Sequence, residues 1–387
     1  MGELENQLLL ACQNGNIEDV KQLLENNPHI NVNNPQPEDY YWRSKPLVVA
    51  CEKGYIEIVK LLLNVENVDI NEADGVGPTP LSGACEWGQI EIVKLLLSDE
   101  RIKVNMEEGE YARTPFQVAC ENKRTEVIKL LLNDKRVNVN QKGMNNSAFH
   151  IACGVGYIEG VELLLKDERV EIRKAGHERQ TPFFVACENG RIEIVKLLLN
   201  DHRVDINQVD EYSRTPFHVA CSRGYIEIVK LLLNDQRVDI NKVNKGGHSP
   251  LSIACFFGRT EIIQHLLVSG REVNFTTKSN EGKTVIDIAR DEAMKRPEKK
   301  QIVELLESFE RNPNETRNKL RIQLGFAGIY LFIYLFIYLF IHFFFLLSLK
   351  LKFPSFFSKK KNKDSEAASL FVMIVLLSDQ YLDSKFK

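Results

Sequence analysis

Residues 214–241 read RTPFHVACSRGYIEIVKLLLNDQRVDIN, and this stretch predicts two short helices followed by an extended exit. Thr215 is a natural N-cap, and Pro216 suits the first helical position because it has no N–H to leave unpaired there. Gly224 tolerates the positive φ that commonly ends a helix. A second helix is expected from about residue 226 to residue 233, where the apolar residues form a wide stripe.

The same unit recurs along most of the chain. Its strongest starts are Thr79-Pro80, Thr114-Pro115, Thr181-Pro182, Thr215-Pro216 and Ser249-Pro250, and weaker copies are Lys45-Pro46, Ser147-Ala148 and Thr284-Val285. The second-helix pattern returns around Ile56, Ile90, Ile192 and Ile226. One unit cannot bury its own apolar faces, so the copies are expected to stack on one another.

These residues resemble the ankyrin repeat, whose pattern is Gly-x-Thr-Pro-Leu-His-x-Ala-Ala-x-x-Gly-His-x-Glu-Val-Val-Lys-Leu-Leu-Leu. The resemblance covers roughly residues 5–308. It implies an all-α fold, an ankyrin-repeat solenoid of about nine helix-turn-helix repeats with short hairpin loops, followed by a C-terminal tail. The repeats are expected near residues 5–33, 44–71, 78–105, 113–140, 146–173, 180–207, 214–241, 248–274 and 283–308.

The chain departs from the family pattern in three places. Cysteine replaces the second alanine of the Ala-Ala pair, and the exit after the second helix is one residue longer, as in residues 200–207. The loop at residues 34–43 is also longer, and we expect it to protrude as a finger. The first repeat lacks Thr-Pro and the last has Arg290 in the cysteine slot, so both are expected to be caps whose outer face meets water.

The domain organisation predicted from these features has four parts. Residues 1–310 form the ankyrin-repeat domain, residues 311–327 a helical linker, residues 328–364 a hydrophobic and basic insert, and residues 365–387 a C-terminal amphipathic helix.

Eight cysteines occupy one slot per repeat: Cys12, Cys51, Cys85, Cys120, Cys153, Cys187, Cys221 and Cys255. The spacings of 39, 34, 35, 33, 34, 34 and 34 residues contain no CxxC pair. Stacked helices lie roughly 10 Å apart, whereas a disulfide needs Cα atoms within about 7 Å. We therefore expect buried, reduced thiols, which indicate an intracellular, cytoplasmic protein.

No catalytic, metal or cofactor motif is present, so we expect neither an enzyme nor a cofactor. The chain has no GxGxxG, GxxxxGK[ST], HExxH or GxSxG. His150 and His218 occupy the family's Thr-Pro-Leu-His slot, which implies a structural hydrogen-bonding role. A Cys221–His218 nucleophile pair is disfavoured because the cysteine should be buried. The net charge of −3 gives no basic field for nucleic acid.

The resemblance implies that a partner protein binds the hairpin tips and the first helices, which line a concave face. The residues there that do not serve packing are the candidates for partner binding. In the tips they are Tyr111, Arg113, His177, Gln180, Tyr212 and Arg214. On the first helices they are Trp87, Asn122, Glu188, Asn189, Arg223, Phe256 and Phe257. Trp87, Tyr111, Arg113, Tyr212 and Arg214 are expected to form part of one binding groove, since Tyr, Trp and Arg dominate interface energetics.

Residues 324–349 contain no formal charge, and 26 such residues are enough to span a bilayer. Basic residues flank both ends, so the segment gives no orientation by the positive-inside rule. The alternative function is therefore a membrane-anchored ankyrin scaffold, with a single span and the repeats on the cytosolic side.

A competing interpretation makes residues 328–364 a retained intron. Residues 329–340 spell Ile-Tyr-Leu-Phe three times, which is the tetranucleotide ATTT read in frame. Gly328-Ile329 can encode a GT donor and Lys363-Asp364 an AG acceptor. A membrane contribution is expected only if the 324–349 segment is translated.

Overall fold

The computed structural model describes residues 3–33, 45–73, 77–144, 146–326 and 340. Within them, nine pairs of helices follow one another. The first helices of the pairs are α1 (Glu3–Asn14), α3 (Pro46–Lys53), α5 (Pro80–Trp87), α7 (Pro115–Glu121), α9 (Ala148–Val155), α11 (Pro182–Glu188), α13 (Pro216–Arg223), α15 (Pro250–Phe257) and α17 (Val285–Lys295). The second helices are α2 (Ile17–Asn26), α4 (Ile56–Leu63), α6 (Ile90–Leu97), α8 (Thr125–Asn133), α10 (Ile158–Lys166), α12 (Ile192–Leu199), α14 (Ile226–Asn234), α16 (Thr260–Val268) and α18 (Lys300–Arg311).

First helices pack on first helices of the neighbouring pairs, and second helices pack on second helices. This arrangement is the helix-turn-helix solenoid that the repeating sequence predicts. The hairpins between pairs contain only isolated bridges in the described part of the chain, Glu108 with Arg113 and Gly143 with Asn146. Two short 3₁₀ turns, His177–Arg179 and Pro297–Lys299, complete the array.

The predicted local signals place the helices correctly. The Thr215 side chain accepts from the His218 N–H at the start of α13, and Pro216 is the first helical residue. Gly224 ends the helix at a φ of 87°, a conformation that favours glycine. A Cβ on Gly224 would also lie 3.1 Å from the Arg259 guanidinium of the next repeat. Glycine is thus needed here for both its backbone angle and its lack of a side chain.

All eight cysteines are free and buried, as the single-slot pattern predicts. They lie in the core together with the large apolar residues of the first helices, among them Phe116, Phe149 and Phe217. In the last repeat, Arg290 stands in the cysteine slot and is half-exposed, with an ion pair to Glu307 of 2.7 Å. A charged residue in contact with water at this slot is what a terminal cap requires.

In five repeats the longer exit has a structural role that the sequence did not disclose. It creates an Asp-x-Arg pair at Asp99–Arg101, Asp134–Arg136, Asp167–Arg169, Asp201–Arg203 and Asp235–Arg237. Each arginine also donates to a carbonyl at the end of the preceding repeat's second helix, as Arg203 does to Leu165 O at 2.9 Å. The pairs therefore join neighbouring repeats as well as closing their own loop.

Asparagines at the end of the exits form a second series of inter-repeat bonds. The Asn207 amide donates to Arg237 O and accepts from Asp239 N in the next repeat, at 2.7 and 2.9 Å. The same pair of hydrogen bonds, one donated and one accepted, is made by Asn33, Asn71, Asn105, Asn140 and Asn241. Arg173 interrupts the series and donates to Arg203 O through its Nε. These hydrogen bonds fix the register of the stacked repeats because each exit side chain pairs with one specific part of the next repeat.

The chain divides into two compact units, Met1–Pro313 and Asn314–Lys387. The helix α19 (Pro313–Gln323) lies at the start of the second unit and carries a Lys319–Glu315 ion pair of 2.6 Å. No helix within the described residues has the length and apolar character to cross a membrane. The predictions for the finger at 34–43, the insert at 328–364 and the helix at 365–387 lie outside the described residues, as does most of 324–349.

Candidate interaction surface

Hairpin tips and the C-terminal ends of the first helices lie side by side, and we call the surface they share the inner face. Arg113 of one tip forms an ion pair with Glu121 at the end of α7. Arg214 of another tip lines the same cavity as Glu188, Arg223 and Phe257 from three successive first helices. At both places a hairpin tip therefore lies next to the end of a first helix, the two parts of the molecule that the resemblance implicates in binding.

The tips of the C-terminal repeats are hydrogen-bonded to each other. Glu211 N donates to Glu178 O at 2.8 Å, Lys245 N to Tyr212 O at 2.9 Å and Asn280 N to Gly246 O at 2.9 Å. The backbone of these hairpin tips is therefore hydrogen-bonded to the neighbouring tips. This order in the free protein reduces the conformational entropy lost when a partner binds.

Tyr111 and Tyr212 are exposed tyrosines in equivalent arrangements. Each is followed two residues later by an arginine whose guanidinium lies over the ring, at 5.3 Å for Arg113 and 5.1 Å for Arg214. The arginines are themselves fixed by carboxylates, Arg113 by Glu121 and Arg214 by Asp210 at 2.6 Å. About half of each tyrosine remains exposed, 54% and 47%. The arginines hold the rings in place, and the rings are the surfaces left free for contact.

Three further aromatic candidates lie at the ends of first helices. Trp87 is 57% exposed at the end of α5, and Phe256 and Phe257 are 48% and 46% exposed at the end of α15. The two phenylalanine rings pack edge to face with centroids 5.2 Å apart. Adjacent exposed rings such as Phe256 and Phe257 form an apolar patch of the kind that marks interaction sites, whereas a single exposed ring such as Trp87 is a weaker signal.

The remaining candidates have partners inside the repeat array. The Asn189 amide donates to Val185 O at 2.9 Å and so caps its own helix, as Asn122 does with Val118 O at 3.0 Å. Gln180 Nε2 donates to a Glu178 carboxylate oxygen at 3.3 Å, and the backbone carbonyl oxygen of Gln180 lies 3.2 Å from His150 Nε2. The exposed His177 side chain lies 4.0 Å from the same glutamate.

The structure gathers four of the candidates, Glu188, Arg214, Arg223 and Phe257, around one cavity. It gives Trp87, Tyr111 and Arg113 no place in that cavity, because they belong to repeats nearer the N-terminus. The inner face therefore carries two separate groups of candidates. Sequence reasoning missed Ser222 and Arg259 of the same cavity. Arg259 could have been found by aligning the repeats, since its slot directly follows the helix-ending glycine.

The histidines in the Thr-Pro-Leu-His slot are structural. His218 Nδ1 accepts from Thr215 N at 3.1 Å, and Nε2 lies 3.1 Å from His248 O of the next repeat. Burial lowers the pKa of His218 and of His150 to about 4. Since both ring nitrogens are engaged, His218 is not placed to activate Cys221. Burial also raises the pKa of the Cys221 thiol far above its ordinary value, so the thiolate needed for nucleophilic attack is not available.

Over the residues that the structure describes, no three His, Cys, Asp or Glu side chains are arranged to hold a metal ion.

Comparison with known families agrees with the helical architecture. The model described as "Ankyrin repeats (3 copies)" matches residues 8–108, 102–174 and 168–244, and the model described as "Ankyrin repeat" matches residues 246–278. A search of curated proteins gives no match. Ankyrin repeats generally mediate protein–protein interaction, and proteins built from them are typically non-catalytic. Since the matched residues make up well over half of the sequence, the chain belongs to the ankyrin-repeat family.

Proposed function

We propose that this protein is a non-catalytic adaptor or scaffold that binds a partner protein through its inner face. The observation that carries the proposal is the set of half-exposed aromatic rings there, Trp87, Tyr111, Tyr212, Phe256 and Phe257. Large rings with few rotatable bonds supply most of the binding energy in protein interfaces. Two of them are already held by arginines, so little ordering remains to be done on binding.

The variant W87A/Y111A/Y212A tests this proposal. It removes three rings and leaves Arg113 and Arg214 with their carboxylates, so the tips retain their ion pairs. Truncation of one central aromatic residue at an interface costs about 2 kcal/mol or more. If at least two of the three rings contact the partner, affinity is expected to fall at least about a hundredfold.

The measurement is quantitative affinity capture from cells with the full chain as bait, followed by titration of the proteins captured. A matched control replaces three exposed isoleucines of second helices, Ile17, Ile90 and Ile158, by alanine. The control variant should bind the captured partners with the affinity of the wild type. Full-strength binding of every partner to the ring-deleted variant would overturn the proposal that the exposed rings Trp87, Tyr111 and Tyr212 bind the partner.

We also propose that the adaptor is intracellular and that residues 328–364 are absent from the mature protein. The four-residue period at 329–340 supports this, because a tetranucleotide tract yields such a period automatically. Sequencing cDNA across codons 320–370 should show Ala327 joined through an aspartate codon to Ser365.

If those codons persist in every transcript and the matching peptides are found, the intron interpretation is wrong. The protein is then a membrane-anchored scaffold, with its partner at a membrane.

A further inference from the structure

A cavity of about 240 Å³ opens on the inner face where the sixth, seventh and eighth repeats meet. Its walls are Glu188, Arg214, Ser222, Arg223, Phe257 and Arg259. Three of the six are arginines and one is an acid, in a protein whose overall charge is −3. The local charge is therefore opposite in sign to that of the whole chain.

The three guanidinium groups are fixed by different means. Arg214 donates from Nε to Asp210 at 2.6 Å, which neutralises its charge. Arg223 has a looser contact with Glu188, at 3.4 Å. Arg259 donates from Nε to Ser222 O at 3.0 Å, and its guanidinium packs on Gly224.

Arg259 carries the uncompensated charge. The guanidinium makes one hydrogen bond, to a neutral carbonyl, and the described residues place no carboxylate against it. Its Nη groups make no hydrogen bond to the described residues, and the Nε bond restrains the side chain. A held arginine with free donors is well suited to take a carboxylate, because little side-chain entropy is lost when the bond forms.

The charge balance favours a single negative charge over a doubly charged group. Asp210 offsets Arg214, which also lies 4.0 Å from Glu178, and Glu188 offsets Arg223, so the positive charge left without a carboxylate is that of Arg259. A carboxylate carries one charge, whereas a phosphate carries nearly two. The second charge of a phosphate would face Glu188 across a small space.

The half-exposed ring of Phe257 forms the apolar wall of the cavity and contacts Phe256 edge to face. A residue adjacent to the bound carboxylate would lie against these rings. The occupant is then an acidic residue beside a bulky apolar residue, on an extended stretch of protein.

We propose that this cavity is a subsite for a Glu or Asp side chain of the partner protein, with Arg259 and Arg223 as its binding residues and Phe257 in contact with an apolar neighbour. This inference rests on the proposed function and adds the chemistry of the segment that is recognised.

The test uses the full chain and a library of linear random peptides displayed on phage. Selected peptides should be enriched in Asp or Glu next to an apolar residue. Their affinity should fall at least about tenfold for R259Q, because a hydrogen bond to a charged group is lost. Changing the peptide's Glu to Gln should cause a similar loss, and the two losses should not add.

The chain itself supplies the design of R259Q and its control. Gln89 occupies the slot of Arg259 in another repeat and donates to Glu52 O at 2.8 Å, so glutamine can keep the inter-repeat bond while removing the charge. Arg191 occupies that slot two repeats nearer the N-terminus, is not one of the six cavity residues, and donates to Gly154 O at 2.8 Å. R191Q should bind the selected peptides as the wild type does, and thermal stability of both variants equal to that of the wild type would show that packing is intact.

Four outcomes would overturn the inference. A selection without acidic enrichment, including one that yields no binder, excludes a carboxylate subsite. Acidic peptides that bind R259Q and R191Q equally well bind elsewhere. A phosphoserine peptide that binds more than tenfold tighter than its glutamate equivalent would assign the cavity to phosphate. A partner that needs Trp87 and Tyr111 but is indifferent to Arg259 would leave the proposed function standing without this subsite.

Discussion

Lowering the pH from 7 to 5 is expected to reduce the free energy of unfolding by about 2 kcal/mol for each of the two buried histidines, His150 and His218. Burial lowers the pKa of both from the ordinary value of 6.5 to about 4. A depressed pKa in the folded state means that the unfolded chain takes up the proton first. The stability that each neutral histidine contributes to the fold is therefore fully present above pH 6.5 and is lost as the pH falls towards 4.

The geometry explains why the folded protein resists this proton. Nδ1 of His218 accepts from Thr215 N at 3.1 Å, and Nδ1 of His150 accepts from Ser147 N at 3.3 Å. The other nitrogen of each ring lies against a backbone carbonyl of the following repeat, His248 O or Gln180 O. A second proton would sit on Nδ1 and face an N–H donor, so protonation has to open the cap.

The double variant H150Q/H218Q provides the matched comparison, because Gln117 already makes the same contacts in another repeat. Its Oε1 accepts from Thr114 N at 2.8 Å, and its Nε2 donates to Asn146 O at 2.7 Å. Urea unfolding followed by circular dichroism at pH 7 and pH 5 should show about 4 kcal/mol less pH dependence in the variant than in the wild type.

Other titrating groups remain in both proteins and cancel in this comparison. Burial also lowers the pKa of His265, and burial raises the pKa of Glu108. Hydrogen bonds from arginine lower the pKa of the five Asp-x-Arg aspartates, so they titrate below this range. Identical pH dependence in wild type and variant would contradict the structural assignment of the two histidines.

All eight cysteines are expected to be protected from a thiol reagent such as dithionitrobenzoate in the native protein and to react fully after denaturation. Their side chains are at most 1% exposed. Burial raises the pKa of Cys12 to about 12 and raises the pKa of each of the others as well. At neutral pH the thiolate fraction is then lower by about a thousandfold or more than for a free thiol.

The exposed-cysteine variant W87C serves as the positive control, because the side chain at position 87 is more than half exposed. It should react natively with a stoichiometry of one thiol per chain, and the wild type with none over the same period. In guanidinium chloride the wild type should give eight thiols and the variant nine. Rapid native reaction of two or more wild-type thiols would mean that repeats open, and would count against a uniformly packed array.

The sequence by itself determined the helix pairs, their caps and the buried cysteine slot. These features depend on neighbours within about four residues: Thr215 caps through the N–H of His218, and the apolar stripe of α14 is visible from its period. The exposure of Trp87, Phe256 and Phe257 also followed from local position, because these residues come one or two positions after the buried cysteine.

Only the tertiary structure decided how the repeats are joined and which surface residues meet. The Asp-x-Arg pairs could be read as surface charge, but their arginines reach carbonyls 37 to 39 residues away. Arg259 becomes a binding candidate only because Ser222, Arg223 and Glu188 lie beside it. The sequence repeats every 33 or 34 residues in this part of the chain, and stacking converts that distance into a direct contact. Local pattern contains no information about which side chains then face each other, since that depends on the register of the stack.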